Sequence, residues 1–192
     1  MNEIIKIENL HKSFGKLKAV DGLNFKVKEG ELFAFLGING AGKSTTIGMM
    51  CGNLKIDSGS INVCGYDVSQ NIDNIKRIIG VVFQDSVLDK TISVYDNLRY
   101  RAGFYGIFGK NFENKFNELD KLFDLSEIKN KPLSKLSGGQ RRKVDIARSI
   151  IHDPRILILD EPTTGLDPGT RKKIWNIINK FRKEYKMTIF LT

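Results

Sequence analysis

The chain has only two cysteines in 192 residues, no apolar run near the length of a membrane span, and no internal repeat or low-complexity linker. Cys51 and Cys64 are too far apart for a Cys-x-x-Cys site and have no other soft ligands beside them, which excludes a zinc module and leaves two reduced, structural thiols. A membrane span needs about 18 consecutive apolar residues. With charged or polar residues at Asn2, Glu3 and Lys6, no secretory leader is expected, and the chain by itself is expected in the cytosol. Lysines and arginines outnumber acids by 31 to 22, giving a net charge of +9. The basic residues are scattered, cluster only briefly at Arg141–Lys143 and Arg171–Lys173, and have no aromatic residues interleaved with them. A nucleic-acid partner is therefore not expected. Part of the charge is expected to face phosphate and part an anionic membrane leaflet.

What is present is more specific. Gly37–Thr45 reads Gly-Ile-Asn-Gly-Ala-Gly-Lys-Ser-Thr and fits the phosphate-loop pattern G-x-x-x-x-G-K-[ST] through Gly37, Gly42, Lys43 and Ser44. Gly37, Gly40 and Gly42 admit turns that aim successive N–H groups at phosphate oxygens. Asn39, Ala41 and Thr45 belong to the same nucleotide-binding segment. Lys43 is placed to reach the β and γ phosphates, Ser44 offers a hydroxyl to Mg²⁺, and the helix that starts there adds its positive end. Glu31–Leu36 reads as a buried strand before the loop and Thr45–Met50 as the first turns of a helix after it. The expected ligand is Mg-ATP.

Ile156–Leu159 is a continuous aliphatic run that suits a strand covered on both faces. It ends in Asp160 and Glu161, with Pro162 fixing the exit turn. Neighbouring strand side chains point to opposite faces, so Asp160 is assigned to the Mg²⁺ shell and Glu161 to the attacking water as general base. A third element is Leu136-Ser-Gly-Gly-Gln140. Ser137 is a good N-cap, Gly138 and Gly139 leave the backbone bare, and Gln140–Ile151 has helical spacing. One nucleotide has a single γ-phosphate for its own loop. A second anion-facing helix start therefore suggests a partner's nucleotide.

With these residues in place, the chain from about Ile5 to Thr192 resembles the nucleotide-binding domain of ATP-binding cassette (ABC) proteins. The diagnostic piece is Leu136–Gln140 followed by Arg141–Arg148. The resemblance implies two cassettes packed head to tail, as a homo- or heterodimer, with each ATP held between the phosphate loop of one and Ser137, Gly138, Gly139 and Gln140 of the other. It matches Gln84 to a glutamine that contacts Mg²⁺ and the water and senses a transmembrane partner. Phe14 matches the aromatic residue that stacks on adenine, although a lone Phe is more often a core residue. Gly165-Leu166-Asp167 matches a segment along the dimer interface. The family pattern also continues with a histidine beyond Thr192 that contacts the γ-phosphate, and neither His11 nor His152 sits where it could substitute. The strands and helices that cover the far side of the sheet in the family are also expected to be missing, leaving apolar surface and an unpaired edge exposed, so these 192 residues are expected to be a fragment that binds ATP, hydrolyses it poorly and self-associates.

The expected fold is α/β: a phosphate-loop NTPase core with a mostly parallel sheet, an antiparallel β patch and an inserted α-helical lobe. It forms one domain, with the core in residues 1–84 and 136–192 and the lobe in 85–135. Gly103, Gly106 and Gly109 are expected to mark a loop between two lobe helices. The resemblance implies an ATPase that powers transport through an integral membrane permease, peripheral on the inner face of the membrane. Gly37–Met50 with Tyr95–Leu98 and Tyr105-Gly106 is most similar to the cassettes of drug, polysaccharide and peptide exporters. The other readings are a soluble cassette acting on ribosomes or DNA, and a small-molecule phosphoryl transferase, which would not need Leu136–Gln140.

Overall fold

A computed structural model describes residues 2–38 and 40–192. The chain opens with a long antiparallel hairpin, β1 (Glu3–Phe14) and β2 (Leu17–Lys28), turned by Gly15-Lys16 with Gly15 at φ +58°. β4 (Ser58–Val63) and β5 (Tyr66–Asp67) complete a four-stranded sheet in the order β2-β1-β4-β5. The second sheet contains β3 (Leu32–Ala34), β6 (Ile79–Val82), β7 (Ile156–Leu159) and β8 (Thr188–Leu191), all parallel, in the order β3-β8-β7-β6.

β7 and β8 are buried at every position because each is flanked by strands and covered on both faces. Alternation then sorts their side chains. Leu157, Leu159, Ile189 and Leu191 face one core, whereas Ile156, Ile158 and Phe190 face the other. β3 departs from the sequence expectation. The regular strand is confined to Leu32–Ala34, and Ala34 and Leu36 are exposed. Its position explains this: β3 is the edge of the parallel sheet and pairs only with β8, so one side lacks the cover that a central strand receives.

α1 (Lys43–Met50) and α2 (Ile72–Ile78) belong to the core shared with the antiparallel sheet. The other core is built by α3 (Val94–Gly103), α4 (Gly109–Phe123), α5 (Gly138–Ile150) and α6 (Pro168–Glu184). α4 buries Phe112, Phe116, Leu119 and Phe123, a helical stripe, and ends at Asp124 with φ +56°. The three glycines fall where the sequence placed them, with Gly103 closing α3, Gly109 opening α4 and Gly106 between them. None of the helices is long and apolar enough to cross a membrane among the described residues.

Candidate functional site

α1 starts without a side-chain cap. Gly42 takes the N-cap position at φ +79°, and the first-turn N–H groups remain open to an outside acceptor. A Cβ on Gly42 would fall 2.2 Å from the Ala19 carbonyl oxygen on β2, so only glycine fits both the backbone and the space. The β1–β2 hairpin thus lies against the phosphate loop, and its tip carries Phe14 to the rim. Phe14 is 48% exposed with the Lys12 ammonium 5.5 Å from its ring centroid, a free aromatic face rather than a core residue. A cavity of about 660 Å³ is lined by Phe14, Gly40, Lys43, Ser44, Gln84 and Glu161, among others. That volume is in the range of small-molecule sites.

Within the loop, Lys43 Nζ donates to the carbonyls of Gly37 at 2.7 Å and Ile38 at 2.9 Å. These are the contacts a phosphate would compete for. Ser44 Oγ donates to Asp160 Oδ2 at 3.3 Å, and Thr192 Oγ1 donates to Asp160 Oδ1 at 2.6 Å. Asp160 is buried at the end of β7, so two hydroxyls replace the water its carboxylate has lost. Glu161 sits in the left-handed region at φ +45°, an uncommon conformation for a side-chain-bearing residue. Its carboxylate accepts from Thr164 Oγ1 at 3.1 Å, and its N–H donates to Thr192 Oγ1 at 3.3 Å. Asp160 therefore turns toward Ser44 while Glu161 turns into the cavity.

Ser44, Asp160 and Gln84 offer oxygen donors only, with one carboxylate. That set fits Mg²⁺, which keeps waters and substrate phosphates as its other ligands. No cluster of three or more His, Cys, Asp or Glu side chains suited to a metal occurs among the described residues. Both cysteines are free, and burial pushes the Cys51 thiol up to about 12, so it is no nucleophile.

The Leu136–Gln140 element forms the start of α5. The Ser137 hydroxyl accepts from the Gln140 N–H at 3.2 Å, and Gln140 Oε1 accepts from the Ser137 N–H at 3.0 Å, a complete capping box. Gly138 lines a second cavity of about 320 Å³ that also reaches Gln84 and Glu161, while Ser137, Gly139 and Gln140 line neither cavity. The fold brings Phe14, Gly40, Gly42, Lys43, Ser44, Thr45, Gln84 and Glu161 to one cavity and joins Asp160 to it through Ser44. Ser137 does not line that cavity. Gly37 and Ala41 stay in the loop, outside the first cavity's lining, and Asn39 lies outside the described residues.

Sequence reasoning missed Thr192, Arg142 and Asp145. Thr192 follows from register: Leu159 pairs with Leu191, which sets Thr192 beside Asp160. Arg142 and Asp145 are charged yet 7% and 4% exposed. Their signal was charge at i and i+3 on the face of α5 that also carries Arg148.

Comparison with known proteins places this arrangement. The ABC transporter family profile matches residues 20–164. Nod factor export ATP-binding protein I of Ralstonia nicotianae is 38% identical over 189 residues, which cover 98% of this chain and 59% of that protein. The bacitracin transport ATP-binding protein BcrA of Bacillus licheniformis is 38% identical over 192 residues, covering 100% of this chain and 62% of that protein. This chain thus spans about three fifths of the length of these two relatives. Among solved structures, CbiO1 of Clostridium perfringens, described as part of the ABC transporter complex cbiONQ, superimposes with a TM-score of 0.87 at 34% identity, covering 100% of this chain and 78% of that one. A dimeric ATP-binding cassette in a post-hydrolysis state with ADP and Pi gives 0.87 at 28% identity, covering 97% and 86%.

Proposed function

This chain belongs to the ABC transporter family, and from that premise we propose that it binds and hydrolyses ATP to drive a substrate across a membrane, in the export direction. The observation that carries the reading is the single cavity uniting an exposed aromatic ring, the phosphate loop, Gln84 and Glu161. Phe14 stacks on the base, the open N–H groups of α1 and Lys43 hold the phosphates, and Ser44, Gln84 and Asp160 hold Mg²⁺. The chemistry supplied at that site, with the ion bound, would be neutralisation of phosphate charge. Glu161, aimed into the cavity and steadied by Thr164, orients and polarises the attacking water.

The second reaction partner is another cassette. Ser137, Gly139 and Gln140 line neither cavity of this chain's site, and with Gly138 they would face the nucleotide of a partner in a head-to-tail dimer. The dimeric, ADP-bound neighbour and the transporter complex containing CbiO1 support the same assembly here, with a membrane permease as third component. Names such as Nod factor export and bacitracin transport favour a transport reading, with export named in one, over a soluble cassette. Residues 85–135 act as the lobe between Gln84 and the start of α5.

The test is Glu161→Gln in the full protein. Turnover is expected to fall about 10²- to 10⁴-fold, the range for a positioned base, with ATP binding retained and an ATP-dependent dimer visible by gel filtration. Normal phosphate release in that variant would overturn the assignment.

A further inference from the structure

Resting on the reading that α5 begins against a partner's nucleotide, we propose that Arg142 is a positioning residue that ties the start of α5 to this chain's own Gln84 and Glu161. Nucleotide held at one site of the dimer thereby sets the geometry for hydrolysis at the other.

Arg142 lies five positions after the Ser137 cap, about 7.5 Å further along the helix axis. Its side chain is buried, and four of its contacts go to main-chain carbonyls. Nε donates to Pro162 at 2.8 Å, Nη1 to Phe83 at 2.6 Å, and Nη2 to Asp160 at 2.9 Å and to Glu161 at 3.1 Å. Three of those carbonyls belong to consecutive residues centred on Glu161. That residue's left-handed backbone persists only where its surroundings over-determine it. Arg142 supplies much of that determination from one side and Thr192 from the other.

The fourth carbonyl, of Phe83, precedes Gln84. On its far side Ser86 Oγ donates to Asp145 Oδ1 at 2.8 Å. Asp145 stands nearly one turn beyond Arg142, so α5 grips the chain on both sides of Gln84. Burial lowers the Arg142 pKa and raises that of Asp145, and each group's charge partly offsets the other's shift. A planar guanidinium with five donors can span these carbonyls. An ammonium is a point charge with shorter reach, and an apolar side chain would leave the carbonyls buried without donors. The two groups that act on the attacking water are thus fixed to the helix whose start faces the other nucleotide.

The experiment compares Arg142→Met and Arg142→Lys with wild type in the full protein with its partner subunits. ATP affinity is expected to stay within about twofold, because the phosphate loop is untouched, while kcat falls about a hundredfold, the scale of an ångström-level misplacement. Lysine should restore only part of it. The Hill coefficient for ATP should drop toward one. In a Glu161→Gln background Arg142→Met should add nothing to the defect, since it acts through Glu161. A folded Arg142→Met protein with wild-type kcat and cooperativity overturns the role, as does an equal and multiplicative loss in the Glu161→Gln background. If the methionine variant does not fold, Ser86→Ala cuts the far anchor alone: reduced cooperativity supports the coupling and unchanged cooperativity overturns it. A wild-type protein with no ATP turnover would overturn the ATPase reading and this role together, whereas active wild type beside an equally active Arg142→Met overturns this role only.

Discussion

The two glycine-rich helix starts of this chain look alike in sequence and are prepared differently. α1 begins at Gly42, left-handed and with no side-chain cap, so its first N–H groups are open. α5 begins at Ser137 with a complete capping box. A bare helix end is an unfinished hydrogen-bond arrangement that an anion completes, whereas a capped end has some of its donors satisfied by its own chain. In the proposed dimer the difference gives an order of events: α1 would hold a nucleotide alone, and α5 would add its dipole, its remaining N–H groups and the Ser137 hydroxyl to a phosphate already held elsewhere.

The sharpest way to break the comparison is to put a side chain on the bare start. Gly42→Ala is strained at φ +79° and drives a methyl to 2.2 Å from the Ala19 carbonyl oxygen. The hairpin that carries Phe14 must then shift. Loss of measurable ATP binding, together with a lower melting temperature, is the expected outcome. Lys43→Ala is milder because it leaves the backbone intact. ATP affinity should weaken by about 10- to 100-fold, the value of one charge-assisted hydrogen bond, with the melting temperature of the nucleotide-free protein little changed. Titration calorimetry on both variants separates the two effects. Unaltered affinity in Lys43→Ala would remove the lysine from the site.

Why one start was read fully and the other only in part lies in where the interactions sit. Gly37–Thr45 is a local pattern: the strand, turn and helix it needs are contiguous, and each residue type has one use there. The buried aliphatic run before Asp160 and the helical spacing after Gln140 are local in the same sense, and both were legible. The sequence did not reveal which partners the charged face of α5 takes. Phe83, Ser86 and Glu161 are 19 to 59 residues from the side chains that hold them, and nothing in local periodicity encodes that pairing. Thr192 was missed for a related reason, since its role depends on sheet register. The edge strand β3 was over-read as buried because an apolar run does not say how many neighbours a strand will have.

A milder change sharpens the contrast at the capped start. Ser137→Ala removes the oxygen that accepts from Gln140 N–H and should lower stability by about 1 kcal/mol, the usual value of an N-cap. ATP binding to the isolated chain should not change, because Ser137 does not line the nucleotide cavity. Cooperative turnover in the assembled protein should fall. Weakened ATP binding by an isolated monomer would mean that α5 serves its own nucleotide, and the proposed division between the two starts would collapse.

The smallest expected effect comes from the other end of α5, where His152 follows the helix. Its ring stacks on Tyr105 with centroids 3.9 Å apart and planes 4° from parallel. Nε2 is 3.0 Å from the Ile79 carbonyl and so carries the proton, while Nδ1 is buried with no partner. Burial brings the imidazole pKa down to about 4; the Ile79 bond opposes this and the nearby Arg101 and Arg148 reinforce it. An unfolded histidine titrates near 6.5. Between those values the unfolded chain binds more protons, so stability is highest above pH 6.5 and falls as the pH drops toward 4. From pH 7 to pH 6 the loss should be about 0.7 kcal/mol, a figure fixed almost wholly by the unfolded pKa. His152→Phe can keep an aromatic stack on Tyr105 and has no proton to bind. The other histidine, His11, is common to both proteins compared, so the difference between them isolates His152. Urea unfolding at pH 7 and pH 6 should therefore show a wild-type decline larger than the variant's by about 0.7 kcal/mol. Equal slopes in the two proteins would mean that His152 is already charged, or hydrated, in the folded state, and that α5 is less firmly seated at this end than at the end that carries Arg142.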